Sequence, residues 1–154
     1  MLTEYAVLKT VHIVGVVLLI GNVTVTAFWK TVADRAGDPR LVAFAQRLVT
    51  YTDWFFTLGG VVLVIVGGYG AAYVIGLDPF RVSWLVEGQL LFLASGVIWL
   101  GLLVPVQVRQ ARHARDFLRG VPVPRSYWRL GQWWLAWGIG ATVPPVAATY
   151  VMVA

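Results

Sequence analysis

Tyr5, Lys9, His12, Gly15, Leu19, Asn22 and Thr26 recur at steps of three and four along the first apolar stretch of the chain. At about 3.6 residues per turn these positions share one broad helix face. His12 has the widest chemistry on that face. An imidazole can relay a proton, bond to a neighbouring helix or ligate a haem iron. An ionisable side chain inside a lipid-embedded helix is a functional candidate by default. Its plainer role is an interhelical hydrogen bond that only fastens the bundle. Both readings stand. A helix starting near Tyr5 puts His12 about 10 Å inside the membrane boundary.

The residues able to work with His12 come from other stretches. Glu87 and Gln89 enter the third apolar stretch at a similar depth. A carboxylate accepting from an imidazole N–H would fix its tautomer and raise its basicity. Glu87 resting at the interface is the alternative. His113 is predicted beyond the opposite membrane face, so bis-histidine ligation within one chain is not expected. The expected cofactor site is therefore His12 as ligand to the iron of haem b, with Lys9, Glu87 and Met152 around it. Met152 is the weaker candidate for a second axial ligand, and sharing of haem across a dimer stays open. No catalytic residue is assigned. A second polar cluster, Lys30, Asp53 and Gln132 with Asn22 deeper, falls near the other helix ends. There Asp53 is expected to pair with Lys30 or to cap the second helix beside Trp54.

These side chains need elements to position them, and composition says which. Of 154 residues, 59% are hydrophobic and 12% charged. A soluble domain carries about 25% charged residues, so the chain cannot build a charged shell. Four stretches are long and apolar enough to cross a bilayer, approximately residues 5–29, 54–75, 84–108 and 130–153. None alternates with the period of two that a barrel strand needs. The first stretch lacks a basic leader and is read as a retained helix. The expected fold is an all-α integral membrane four-helix bundle, one domain over residues 1–154.

Arginines gather in the first and third loops, at Arg35, Arg40 and Arg47 and at Arg109, Arg112, Arg115, Arg119 and Arg125. Such loops stay in the cytoplasm, which puts both termini on the outer side. Residues 41–49 read as a short amphipathic piece lying in the interface, with Leu41, Phe44, Ala45 and Leu48 on its apolar side. Residues 107–119 read as a continuation of the third helix. Trp29, Trp54, Trp84, Trp128, Trp133 and Trp134 mark boundaries, whereas Trp99 and Trp137 are expected to pack deeper. Gly67, Gly68 and Gly70 permit close helix contact. Pro144 and Pro145 should kink the last helix.

The absence of cysteine rules out disulfides, thiolate metal sites and cysteine nucleophiles within this chain. There is no phosphate-cradling Gly-rich loop, no HExxH and no serine–histidine–acid constellation. The net charge of +5 is accounted for by topology-setting loops, and no nucleic-acid-binding module is visible.

The stretches LKTVHIVGVVLLIGN, TAFWKTVADRAGDPRLVAFAQR, YTDWFFTLGG and YWRLGQWWLAWGIGATVPPVAATYVM resemble the bacterial integral membrane proteins grouped as domain of unknown function 2269. That resemblance covers most of the chain. It implies a four-helix protein of the bacterial cytoplasmic membrane and no particular activity. The LKTVH start alone is similar to the HemJ-type membrane protoporphyrinogen oxidases and the copper-resistance D type proteins. It implies haem association through Lys9 and His12, while the rest of the chain departs from those patterns. Three functions are carried forward: a haem-associated or redox-linked bundle centred on His12, a non-catalytic accessory subunit of a larger membrane complex, and an oligomeric transporter of a small molecule or ion.

Overall fold

A computed structural model of the chain describes residues 2–153. Those residues form four long helices: α1 (Leu2–Ala36), α2 (Pro39–Val74), α3 (Ser83–Phe117) and α4 (Arg125–Val153). No strand occurs among the described residues. Each helix contains a window apolar enough to cross a membrane, so the chain is an all-α, multi-pass bundle. A 35-residue helix such as α1 is about 50 Å long, against a hydrocarbon core of about 30 Å. The helices outrun the expected crossing segments mainly at the arginine-bearing end, where α1 runs on to Ala36, α2 begins at Pro39, α3 ends at Phe117 and α4 begins at Arg125.

Residues 41–49 correct the sequence reading. They do not form a separate interfacial piece but are the first turns of α2. Gly37, with a positive φ of 71°, lets the chain leave α1. Asp38 then caps α2 by accepting from the Arg40 N–H at 2.8 Å, with Pro39 in the first turn. The buried face is Val42, Ala43, Ala45, Gln46 and Val49, whereas Leu41 and Phe44 are exposed. Val42 and Ala43 pack with Ala114 and Phe117 of α3 and Tyr127 of α4. The contact partner selected this face, because the apolar positions alone fit two faces.

Two helices carry a π-helical turn, Asp53–Thr57 in α2 and Trp99–Leu103 in α3. In α3 the cause is local. Pro105 has no N–H to offer Gly101 and its ring crowds that carbonyl, so the preceding turn widens. In α4 the two prolines do not interrupt the helix. Pro145 leaves the Ala141 carbonyl without its helical donor, and Ser95 of α3 donates its hydroxyl to that oxygen at 2.6 Å. A neighbouring helix thus supplies what the proline removed.

The tightest contact joins α1 to α2. A Cβ on Gly15 would stand 2.7 Å from the Val64 nitrogen, and one on Gly67 would stand 2.5 Å from the His12 nitrogen. Backbones meet there because neither glycine has a side chain, which is the basis of small-residue packing in lipid. Trp134 also differs from expectation. It is buried with Val49, Leu103 and Ala141 and is no boundary anchor. Trp137 stacks on Trp133 at 6.4 Å and stays partly exposed.

Candidate functional site

Polar side chains fill the interior of the arginine-bearing half in two layers. The first is centred on Asp53. The Asn22 amide donates to Asp53 Oδ1 at 3.1 Å and to the Thr57 hydroxyl at 2.9 Å. Thr57 donates to the same carboxylate oxygen at 3.0 Å. Gln107 donates to Asp53 Oδ2 at 2.9 Å. Thr26 donates to Asn22 Oδ1 at 3.2 Å. Asp53 therefore neither pairs with Lys30 nor caps a helix, in correction of the sequence reading. With α2 starting at Pro39, residue 53 falls inside the helix, on the face turned to α1 and α3.

The carboxylate also lines a groove of about 590 Å³ bounded by α1, α3 and α4. The walls are mostly apolar, with Ala27, Trp99, Leu103, Trp134, Ile139 and Val146 among them. Polar groups enter only near Asp53, Gln107 and Thr26 and at Thr24, Thr142 and Tyr150. Trp99 and Leu103 bound one π-helical turn and Asp53 begins the other, a placement common at functional sites.

The second layer is centred on Lys30, which is only 1% exposed. Its ammonium donates to Asp34 Oδ2 at 2.8 Å and to the Tyr127 hydroxyl at 3.1 Å. It also lies 5.1 Å from the Tyr127 ring centre and 5.7 Å from that of Trp134, within cation–π range. Tyr127 donates onward to Gln46 at 3.3 Å. Gln46 and Gln110 are fully buried.

The residues expected to surround a haem are not assembled. His12 Nδ1 donates to the Val64 carbonyl at 2.9 Å, and a Cβ on Gly68 would stand 2.9 Å from that nitrogen. The imidazole therefore packs on the α2 backbone. Glu87 is exposed near the start of α3, which makes no close backbone approach to α1 among the described residues. The Met152 methyl sits against Gly88. Lys9 is exposed and lies over the Tyr5 ring. Gln132 is exposed as well, away from the cluster it was grouped with. Among the described residues no group of three His, Asp or Glu side chains could hold a metal ion. His12 thus has the interhelical bond that sequence offered as its plainer role. His12→Leu should cost about 1 kcal/mol, the usual worth of such bonds in membrane bundles. Thermal unfolding in micelles would check this, and a loss several times larger would show that the ring does more than fasten α1 to α2.

Gln46, Gln107, Gln110 and Tyr127 were missed in the sequence. A signal existed: Asn22, Thr26, Lys30 and Asp34 continue the α1 stripe in steps of four, and Gln107 and Gln110 share a face. The assumed crossing limits ended the stripe at Thr26 and set Gln110 outside the bundle, with Gln107 at its edge.

The continuous apolar helices and their buried polar interior define a polytopic integral membrane protein. The chain belongs to the family described as Predicted integral membrane protein (DUF2269), which matches residues 6–154. No curated protein and no solved structure matches it.

Proposed function

We propose that the chain is a membrane-embedded binding protein for a lipophilic molecule whose head group donates a hydrogen bond, a hydroxyl or an amine. The observation that carries this reading is the Asp53 carboxylate at the polar end of an otherwise apolar groove. Three donors orient the carboxylate, and Oδ2, which accepts from Gln107 alone, keeps accepting capacity. A site with apolar walls and few placed polar groups is the ordinary form of a small-molecule site. Transport would use the same site, and an accessory subunit would hold its ligand for a partner. The setting is the bacterial cytoplasmic membrane with the arginine-bearing end inward.

Native mass spectrometry from micelles, with dodecylamine and dodecanol as probes, tests it. The wild type should carry one copy of either probe. Gly138→Trp should abolish both adducts, since Gly138 lines the groove with open space where its side chain would be. Asp53→Asn should weaken the amine about tenfold, the loss of a charge-assisted bond, and leave the alcohol nearly unchanged. No adduct on the wild type, or one indifferent to Gly138→Trp, would sink the reading.

A second reading keeps His12 as a haem ligand. Its support is the Nδ1 bond to Val64, which leaves the lone pair on Nε2 for an iron. Visible spectra of wild type and His12→Ala, after expression with added haem, decide it: a band lost in the variant supports it and a colourless wild type removes it.

A further inference from the structure

Four buried polar atoms in the Lys30 layer have no partner among the described residues: Asp34 Oδ1, Gln46 Nε2 and both side-chain polar atoms of Gln110. Gln46 and Gln110 are 0% exposed. Native proteins rarely leave fully buried amides unpaired, and the usual remedy is ordered water. The unmet groups here are two donors, on Gln46 and Gln110, and two acceptors, on Asp34 and Gln110. An anion at this place would face the Asp34 carboxylate, and a cation would face the Lys30 ammonium. A small neutral molecule that both donates and accepts suits both.

There is a place for it. A Cβ on Gly131 of α4 would stand 3.6 Å from Asp34 Oδ2 and 3.6 Å from Gln110 Nε2. The missing side chain thus leaves a gap between a carboxylate and an unpartnered amide. The gap has polar neighbours in both directions. Outward, the Asp34 side chain is 17% exposed against 1% for Lys30. Inward, Thr26 and Lys30 are four residues apart and Gln107 and Gln110 three, so the two polar layers are separated by about one helical turn, or 5 Å. One water making two hydrogen bonds of about 2.8 Å spans that step.

We propose that the Lys30–Gln110 layer is an internal hydration site and that it forms a one-sided aqueous path from Asp34 to the Asp53 layer. The path rests on these side chains and stands whatever the groove binds.

Two measurements on the full-length protein test it. In X-ray hydroxyl-radical footprinting with ¹⁸O-labelled water, buried Tyr127 should be labelled because water lies beside it. Gly131→Ala places a methyl in the gap without a clash, and Gln110→Leu removes the amide. Both should cut Tyr127 labelling several-fold while exposed Trp133 is labelled as before. The chain has no cysteine, so Thr26→Cys gives one thiol in the Asp53 layer, at the inner end of the path, and silver ion, close to water in size, should react with it. Adding Gly131→Ala should slow that reaction at least about tenfold. A Tyr127 that stays unlabelled in the wild type, labelling indifferent to both gap variants, or a Thr26→Cys thiol inert to silver overturns the proposal.

Discussion

Asp34→Ala should destabilise the protein more than Lys30→Met, although the two side chains form one ion pair. Their surroundings differ. The Lys30 side chain is 1% exposed and that of Asp34 17% exposed. Removing Asp34 leaves a buried ammonium with the Tyr127 hydroxyl and two aromatic faces. Removing one member of a buried pair costs about 3–5 kcal/mol, and the aromatic contacts hold this case near the lower figure. Removing Lys30 leaves a carboxylate whose side chain is partly exposed, and Tyr127 still donates to Gln46. The cost there should be about 1–2 kcal/mol, in the range for a lost hydrogen bond to a charged group. The double variant Lys30→Met with Asp34→Leu should recover most of the loss, because apolar replacements of both partners are often neutral. Unfolding followed by helicity in micelles gives all three values. Equal losses, or a larger one for Lys30→Met, would mean that water in the Lys30–Gln110 layer solvates the ammonium as well as Asp34 does.

Gly67→Leu should separate α1 from α2. The contacts a Cβ would make are with backbone: His12 nitrogen at 2.5 Å, Leu8 oxygen at 2.7 Å and His12 Cα at 2.8 Å. No rotamer change can relieve them, so the helices must move apart. Overpacking costs about 1–3 kcal/mol, which is the expectation for Gly67→Ala. Leucine should exceed it, because a wider gap also breaks the His12–Val64 bond and loosens the contacts at Gly15 and Gly60. In lipid no hydrophobic drive restores the contact, since association there depends on packing and polar bonds. Gly59→Ala is the matched control. A Cβ there meets nothing within 4 Å, so it should be neutral or gain up to about 1 kcal/mol of helix propensity. If Gly67→Leu melts with Gly59→Ala, the α1–α2 seam is not what holds this half of the bundle.

The sequence by itself determined four membrane-crossing helices, because apolar run length against bilayer thickness is a one-dimensional property. It also marked the small residues of α2 that meet α1, and it placed His12, Asn22 and Thr26 on one face of α1. Only tertiary structure decided how far the helices run and which polar groups meet. Residues 41–49 fit an interfacial piece until their Val42–Val49 face is seen packed on α3 and α4. Asp53 looked like a helix start because the apolar run begins beside it, yet it lies inside α2 among donors from α1, α2 and α3. Lys9, His12, Glu87 and Met152 share a depth, but depth says nothing about which helices are neighbours. Two glutamines beyond the expected crossing segments, Gln46 and Gln110, are fully buried. Periodicity gives each helix a face; which faces meet depends on the packing of all four helices at once.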